Sequence, residues 1–360
     1  MSPGVSANHM NRFSAERPIK VIIVDDSAVV RAVLSEIINA EPDMKVVAVA
    51  ADPYAAREAI RVHDPDVITL DVEMPRMDGL DFLEKLMRLR PTPVVMISTL
   101  TERGSEAALR ALELGAIDFV AKPKADVAHS IGAYASEIAQ KLRVAANARM
   151  PNRRVHAPPA ALPAQMRRPP HPDQLIAIGA STGGTEAIKD ILVRMPPDCP
   201  PILITQHMPE GFTRMFAARL NRECRITVRE AQHDDRLQPG VAFIAPGNRH
   251  LLVKKRASGY TCQLSDAEPV SRHKPSVDVL FGSVASQVGR HAVGVILTGM
   301  GRDGASGMAE MKRAGAYNIA QDEQSCVVFG MPREAINAGA IDTVLPLDGI
   351  FEHLMERVGA

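Results

Sequence analysis

The order of apolar and polar positions divides the chain before any chemistry is considered. From Ile19 onward "IKVIIVDD", "MKVVAVA", "DVITLDV", "PVVMIST" and "DFVAKP" are short β-branched runs, each followed by a stretch with helical spacing. Runs that stay apolar without alternating suit strands buried on both faces. Five strand-then-helix units therefore predict a doubly wound parallel sheet over residues 19–147. Residues 148–173 change character: "RMPNRRVHAPPAALPAQMRRPPHP" is rich in proline and arginine, has no acidic residue and shows no apolar period, so it reads as an extended linker. The alternation resumes over residues 174–360 with "QLIAIGAS", "PILITQH", "AVGVILTGM", "YNIAQD" and "IDTVLP", which predicts a second doubly wound, mostly parallel α/β domain. Within it, the Pro-Gly and Ser-Gly punctuation of "VAFIAPGNRHLLVKKRASGYTCQLSD" predicts a β-hairpin extension of one or two antiparallel hairpins. Residues 1–18 are polar and broken by proline and glycine, and a disordered tail is expected there.

Composition narrows the class. A chain of 360 residues exceeds what one core serves, in agreement with two domains. Lys+Arg and Asp+Glu balance at 42 each, so the basic excess of a nucleic-acid binder is missing and no nucleic-acid partner is expected. The four cysteines, Cys199, Cys224, Cys262 and Cys326, form no C-x-x-C pair, as expected of reduced thiols in a cytoplasmic protein. The first residues lack the charged-then-apolar order of a signal peptide, and no apolar run is long enough to span a bilayer. A cytoplasmic protein without direct membrane insertion is expected.

Two groups of residues carry chemistry. In open parallel sheets ligands collect at the carboxyl ends of the strands. Asp25 and Asp26 end the first strand of the first domain, Asp71 the third, Ser98 the fourth, and Lys122 the fifth. Three carboxylates at one edge repel one another and call for a divalent cation. An all-oxygen set with few protein ligands suits Mg2+. One carboxylate, best Asp71, would then accept a phosphoryl group while the others hold the metal, with Lys122 neutralising added charge. For any single residue a helix cap or a solvated charge is the plainer explanation; all of them at strand ends of one domain is harder to dismiss.

In the second domain "GASTG" at residues 179–183 fits G-x-S-x-G, whose glycines allow a cramped turn that lifts Ser181 off a strand end. A turn that grips phosphate at the start of the following helix fits those residues equally well, and the motif alone does not choose between them. His207 closes "PILITQH" and Asp303 lies in "AVGVILTGMGRDG", just beyond the strand end, so an imidazole and a carboxylate fall at the same edge as the serine. Those are the parts needed to take the hydroxyl proton and to fix the imidazole that takes it. The order Ser, His, Asp differs from the Ser, Asp, His order of α/β-hydrolases, which points to another fold carrying the same chemistry. The Thr182 amide and the glycine-rich loop around Met300 are candidate oxyanion donors.

The first domain, with "DVEMPRMDGLDFL" and "LGAIDFVAKP", resembles the receiver domain of two-component response regulators, a flavodoxin-like fold. The resemblance implies phosphorylation of Asp71 by a cognate histidine kinase, with Mg2+ held by Asp25, Asp26, Asp71 and the main-chain carbonyl of Glu73. It also implies switch roles for Ser98, Phe119 and Lys122. The second domain, with "AIGASTGGTEAI", "ITQHMPEGFTRMFAARL" and "VILTGMGRDGASGM", resembles the catalytic domain of chemotaxis protein-glutamate methylesterases. That resemblance implies Ser181 as nucleophile, His207 as general base and Asp303 as its orienter, with no cofactor for ester hydrolysis. The implied substrates are methylated glutamates on the cytoplasmic helices of chemoreceptors, with deamidation of receptor glutamines as a second activity. A monomer is expected, with its hydrolase inhibited until Asp71 is phosphorylated. Two rivals share many of these features: a phosphorylation-gated hydrolase of another ester or amide, and a module whose "GASTGG" turn binds phosphate without chemistry. A DNA-binding regulator is more distant, because the second half lacks a short helical domain with a basic recognition helix.

Overall fold

A computed structural model describes residues 12–72, 74, 78–98, 101–122, 131–150 and 171–359. The chain divides into two compact units, Met1–Leu100 with Glu113–Met150, and Thr101–Leu112 with Pro151–Ala360. The expected linker falls largely outside the described residues, as do residues 1–11 of the expected tail. Residues 12–18 of that tail are described: Phe13 is buried, and Ser14 and Arg17 exchange backbone hydrogen bonds of 3.0 Å.

The sequence from Ile19 to Asn147 forms β1 (Ile19–Val24), α1 (Ala28–Asn39), β2 (Met44–Ala50), α2 (Pro53–His63), β3 (Val67–Asp71), α3 (Gly79–Leu89), β4 (Val94–Ser98), α4 (Glu102–Leu114), β5 (Asp118–Ala121) and α5 (Ile131–Asn147). The strands pair in parallel in the order β2-β1-β3-β4-β5. All five residues of β3 and of β4 are buried, which is why neither run alternates in sequence. The strand order reverses between β1 and β3, and Asp25 and Asp71 sit at the carboxyl ends of those two strands. Gly79 lets the start of α3 pack onto the end of β3, because a Cβ there would come within 2.3 Å of the Asp71 carbonyl oxygen.

From Leu175 the chain runs through β6 (Leu175–Ala180), α6 (Gly184–Leu192), β7 (Ile202–Gln206), α7 (Phe212–Glu223), β8 (Thr227–Glu230), β9 (Val241–Ile244), β10 (His250–Arg256), β11 (Gly259–Ser265) and α8 (Val277–Gln287). It continues through β12 (Ala292–Ile296), α9 (Ala305–Arg313), β13 (Tyr317–Gln321), α10 (Met331–Asn337), β14 (Thr343–Leu345) and α11 (Leu347–Val358). Seven strands pair in parallel in the order β14-β13-β12-β6-β7-β9-β8, and β10 and β11 form a separate antiparallel ribbon. Every residue of β6, β7 and β12 is buried, as befits the central strands. The order reverses between β6 and β12.

The expectation of one or two hairpins for "VAFIAPGNRHLLVKKRASGYTCQLSD" is met by β10 and β11. Among the described residues it contains one hairpin, and "VAFI" is not part of it. That run is β9, paired in parallel with β7 and β8. Three of its four residues are buried, so its apolar character belongs to the main core. The edge strand β8, "TVRE", gave too short an alternation to be expected at all.

Candidate functional site

In the first unit Asp25 and Asp71 are buried and Asp26 is exposed. Carboxylate oxygens of the three lie within 4.8 Å of one another. The Lys122 ammonium, at the end of β5, donates to Asp71 Oδ2 at 2.8 Å and lies 3.1 Å from Asp25 Oδ2. Apart from that ion pair, the buried Asp25 Oδ2 has no hydrogen-bond partner among the described residues. Asp25 Oδ1 accepts the Ser27 amide at 2.8 Å, and Ser27 in turn caps α1. Burial works against the charge on Lys122, but the two carboxylates outweigh it and its pKa is raised. Two buried carboxylates thus pair with the Lys122 ammonium, the exposed Asp26 carboxylate lies close by, and one buried oxygen has no hydrogen bond among the described residues. This donor set fits a hard divalent cation such as Mg2+. Glu73, whose carbonyl was expected to join it, lies outside the described residues.

Ser98 is buried at the end of β4, where its carbonyl accepts the Lys122 amide at 2.6 Å. The Phe119 ring is also buried, with the Lys141 ammonium 5.1 Å from its centre.

In the second unit the carboxyl ends of β12, β6 and β7, three neighbouring strands, bring Asp303, Ser181 and His207 to one edge. Ser181 follows β6 directly. Its amide donates to the Thr298 carbonyl at 3.0 Å and its carbonyl accepts the Gly184 amide at 2.7 Å, which closes a tight turn into α6. The glycines make that turn feasible. Gly183 has φ 77°, and a Cβ on Gly184 would lie 2.2 Å from Gln206 Oε1. Gly299 does the same from the β12 side, where a Cβ would come within 2.8 Å of Ser181 Cβ and 2.4 Å of Met331 Sδ.

His207 follows β7, and its amide donates to the Ala180 carbonyl at 3.1 Å, so the imidazole and the serine leave adjacent strand ends side by side. The Gln206 amide nitrogen ties them further, donating to the carbonyls of Ser181 at 2.9 Å and His207 at 3.2 Å. His207 Nε2 lies 2.8 Å from Asp303 Oδ2. Asp303 Oδ2 also accepts the Val277 amide at 2.7 Å, and Oδ1 accepts the Ser276 hydroxyl at 2.8 Å and the Asp278 amide at 3.0 Å. Asp303 thus caps the N-terminus of α8, where it meets the positive end of the helix dipole. Burial pushes its pKa up, but the His207 contact and the α8 amides outweigh this and hold it down at about 2. Asp278 goes the other way, raised by burial and by the charge of Asp303.

An ionised carboxylate can only accept, so Nε2 of His207 carries a proton and Nδ1 of the neutral ring has a lone pair. Nδ1 is buried and has no hydrogen-bond partner among the described residues, Ser181 Oγ included.

The loops carrying Thr182 and Met300 are locked together beside Ser181. The Thr298 hydroxyl donates to the Thr182 carbonyl at 3.0 Å, and Gly299, next to Met300, packs on Ser181. Burial pushes the Cys199 and Cys224 thiols up to about 12 and raises Cys262 as well, so these thiols are protonated and not competing nucleophiles. A cavity of about 450 Å³ lies at the opposite edge of the sheet, lined by Arg290, Lys312 and Arg357 among others, away from Ser181.

Sequence reasoning missed Gln206, the Ser276–Asp278 cap and His273, whose ring stacks on that of His207 with centroids 3.8 Å apart. Only "SVD" before an apolar helix, a cap-like pattern, could have drawn attention to the second of these.

A family model described as CheB methylesterase matches residues 176–354, and one described as response regulator receiver domain matches residues 21–130. The protein-glutamate methylesterase/protein-glutamine glutaminase of Nitrosomonas europaea is 60% identical over 350 residues, covering 96% of this chain and 98% of the relative. Its namesake in Paraburkholderia xenovorans is 58% identical over 351 residues, covering 95% and 97%. Among solved structures, the Thermotoga maritima CheB methylesterase catalytic domain aligns with a TM-score of 0.51 at 39% identity, covering 51% of this chain and 98% of that chain. The two parallel-sheet units therefore have the domain content of these relatives, and the chain belongs to the protein-glutamate methylesterase/protein-glutamine glutaminase family.

Proposed function

We propose that this chain hydrolyses glutamate γ-methyl esters on the cytoplasmic domains of methyl-accepting chemoreceptors, and deamidates receptor glutamines, faster when Asp71 is phosphorylated. One observation carries the reading. The half-buried His207, on the strand end next to that of Ser181, is held through Nε2 by an ionised, helix-anchored Asp303, while its Nδ1 is buried and has no hydrogen-bond partner among the described residues.

In the proposed reaction the Ser181 hydroxyl oxygen attacks the ester carbonyl and its proton passes to His207 Nδ1. Asp303 stabilises the imidazolium without taking its proton. Negative charge gathers on the former carbonyl oxygen, where the amides of Thr182 and Met300 are the candidate donors. Collapse breaks the bond to methoxide, which leaves as methanol with the proton from His207. Water, deprotonated by the same nitrogen, then releases glutamate and restores Ser181. A glutamine follows the same course with ammonia as the leaving group.

In the first unit Asp71 would accept the phosphoryl group from a histidine kinase, and Asp25, Asp26 and Asp71 would hold Mg2+, which screens the incoming phosphoryl charge. Lys122, already bonded to Asp71, neutralises part of the added charge, and Ser98 at the neighbouring strand end is placed to respond to it. No helix among the described residues is long and apolar enough to cross a membrane, consistent with a cytoplasmic enzyme meeting the receptor from solution. The test is methanol release from methylated receptor fragments, with and without a small phosphodonor. Release from generic esters but not from receptor would overturn the substrate, and no gain with the phosphodonor would overturn the regulation.

A further inference from the structure

We propose that His273 is a positioning residue for the hydrolysis, its ring fixing the plane in which His207 works. The inference rests on the proposed reaction and goes beyond its three residues. The bond from His207 Nε2 to Asp303 Oδ2 fixes one atom of the imidazole and leaves the ring free to turn about that contact. A second constraint is needed to hold the plane. The His273 ring supplies it, lying face to face with His207 at 3.8 Å between centroids and 8° between planes.

His273 is itself held hard. Its Nδ1 lies 2.8 Å from the Ser271 carbonyl, which can only accept, so Nδ1 carries a proton. Val270 and His273 exchange backbone hydrogen bonds of 3.1 and 2.9 Å across a two-residue turn, in which Ser271 and Arg272 have φ of 53° and 67°. Two successive left-handed residues without a glycine are uncommon, and such conformations persist where the surroundings dictate them. The residues that follow, Ser276, Val277 and Asp278, are the three that bind Asp303. One segment, residues 270–278, therefore fixes both the carboxylate and the plane of the imidazole it orients.

The stack also bears on the proton transfer. When His207 takes the serine proton, its positive ring lies against the face of His273, a favourable contact while His273 is neutral. The charged and titratable groups near His273 include Arg272 and Lys274 on its own turn, Asp303 and His207 across the site, and Asp278 on α8, which reaches the neighbouring Ser271. Stacked histidines are often no more than packing, and the experiment separates that from a positioning role.

In the full-length protein, methanol release from a methylated receptor fragment is measured for His273→Ala, His273→Leu and His273→Phe. The expected result is a fall in kcat of about tenfold to a hundredfold for His273→Ala and His273→Leu with KM nearly unchanged, the loss produced by a misaligned reacting group. His273→Phe, which keeps a flat face, restores most of kcat. If His273→Ala fails to fold, His273→Leu, closer in volume, gives the same comparison. Full kcat in the leucine variant, a rise confined to KM, or a phenylalanine variant as slow as the leucine one would each overturn the positioning role. Ser181→Ala is run alongside. If it retains turnover the hydrolase reading itself fails, whereas an inactive Ser181→Ala beside a fully active His273→Leu sinks only the inference about His273.

Discussion

Both units place carboxylates at the carboxyl ends of parallel strands, yet treat them in opposite ways. Asp25 and Asp71 share the Lys122 ammonium, and a buried oxygen of Asp25 has no hydrogen bond among the described residues. Asp303 has both oxygens engaged, by His207, a hydroxyl and two helix amides, and its pKa is held at about 2. The first arrangement keeps a buried carboxylate oxygen that is open to a cation, as the proposed Mg2+ would require. The second is saturated and stays ionised and still. The carboxylate proposed to react has a mobile ammonium as its neighbour, while the one proposed to orient another group is held by fixed helix amides.

The largest expected effect breaks the second site outright. Ser181→Ala should lower methanol release by a factor on the order of 10³ or more, as loss of a triad nucleophile does, while acid-labile phosphate still forms on the first unit. Asp303→Asn should come next, with a loss of kcat on the order of 10³-fold, because an amide can present a donor to Nε2 and favour the wrong tautomer. The loss should persist at high substrate concentration. Asp71→Asn strikes the other site, and should abolish both the acid-labile phosphate and the stimulation by a phosphodonor.

A smaller effect sharpens the contrast through pH. The pKa of Asp303 is depressed from 3.8 to about 2, so its contribution to stability is present above pH 3.8 and is lost as pH falls through about 2. The shift corresponds to about 2 kcal/mol at most, and the raised pKa of Asp278 works against it. Thermal melts between pH 5 and pH 2 should therefore fall less steeply for Asp303→Asn than for the parent protein.

Much of this was legible in the sequence because central parallel strands advertise themselves. "LIAIGA" and "AVGVI" are apolar throughout since both faces are covered, and the residues that end them lie at one edge by topology alone. Ser181, His207 and Asp303 could be named for that reason. "VAFI" was misread because a short apolar run before a Pro-Gly turn looks alike whether it pairs antiparallel in a ribbon or parallel in a sheet; only its burial between β7 and β8 distinguishes the two. His273 left no trace, since "VSRHKPS" has no periodicity and its turn uses Ser271 and Arg272 where glycine or asparagine would have signalled left-handed backbone. Long-range partners of this kind become visible only when the chain is folded.

The side-chain amide of Gln206 has one last implication. Because it spans the carbonyls of both strand ends, Ser181 and His207, the proposed nucleophile and its base, ride on a single rung. Sliding one strand past the other cannot detune this enzyme without breaking that rung. If phosphorylation controls turnover as proposed, it would have to act by swinging the side chains of Ser181 or His207, or by deciding what is admitted to them.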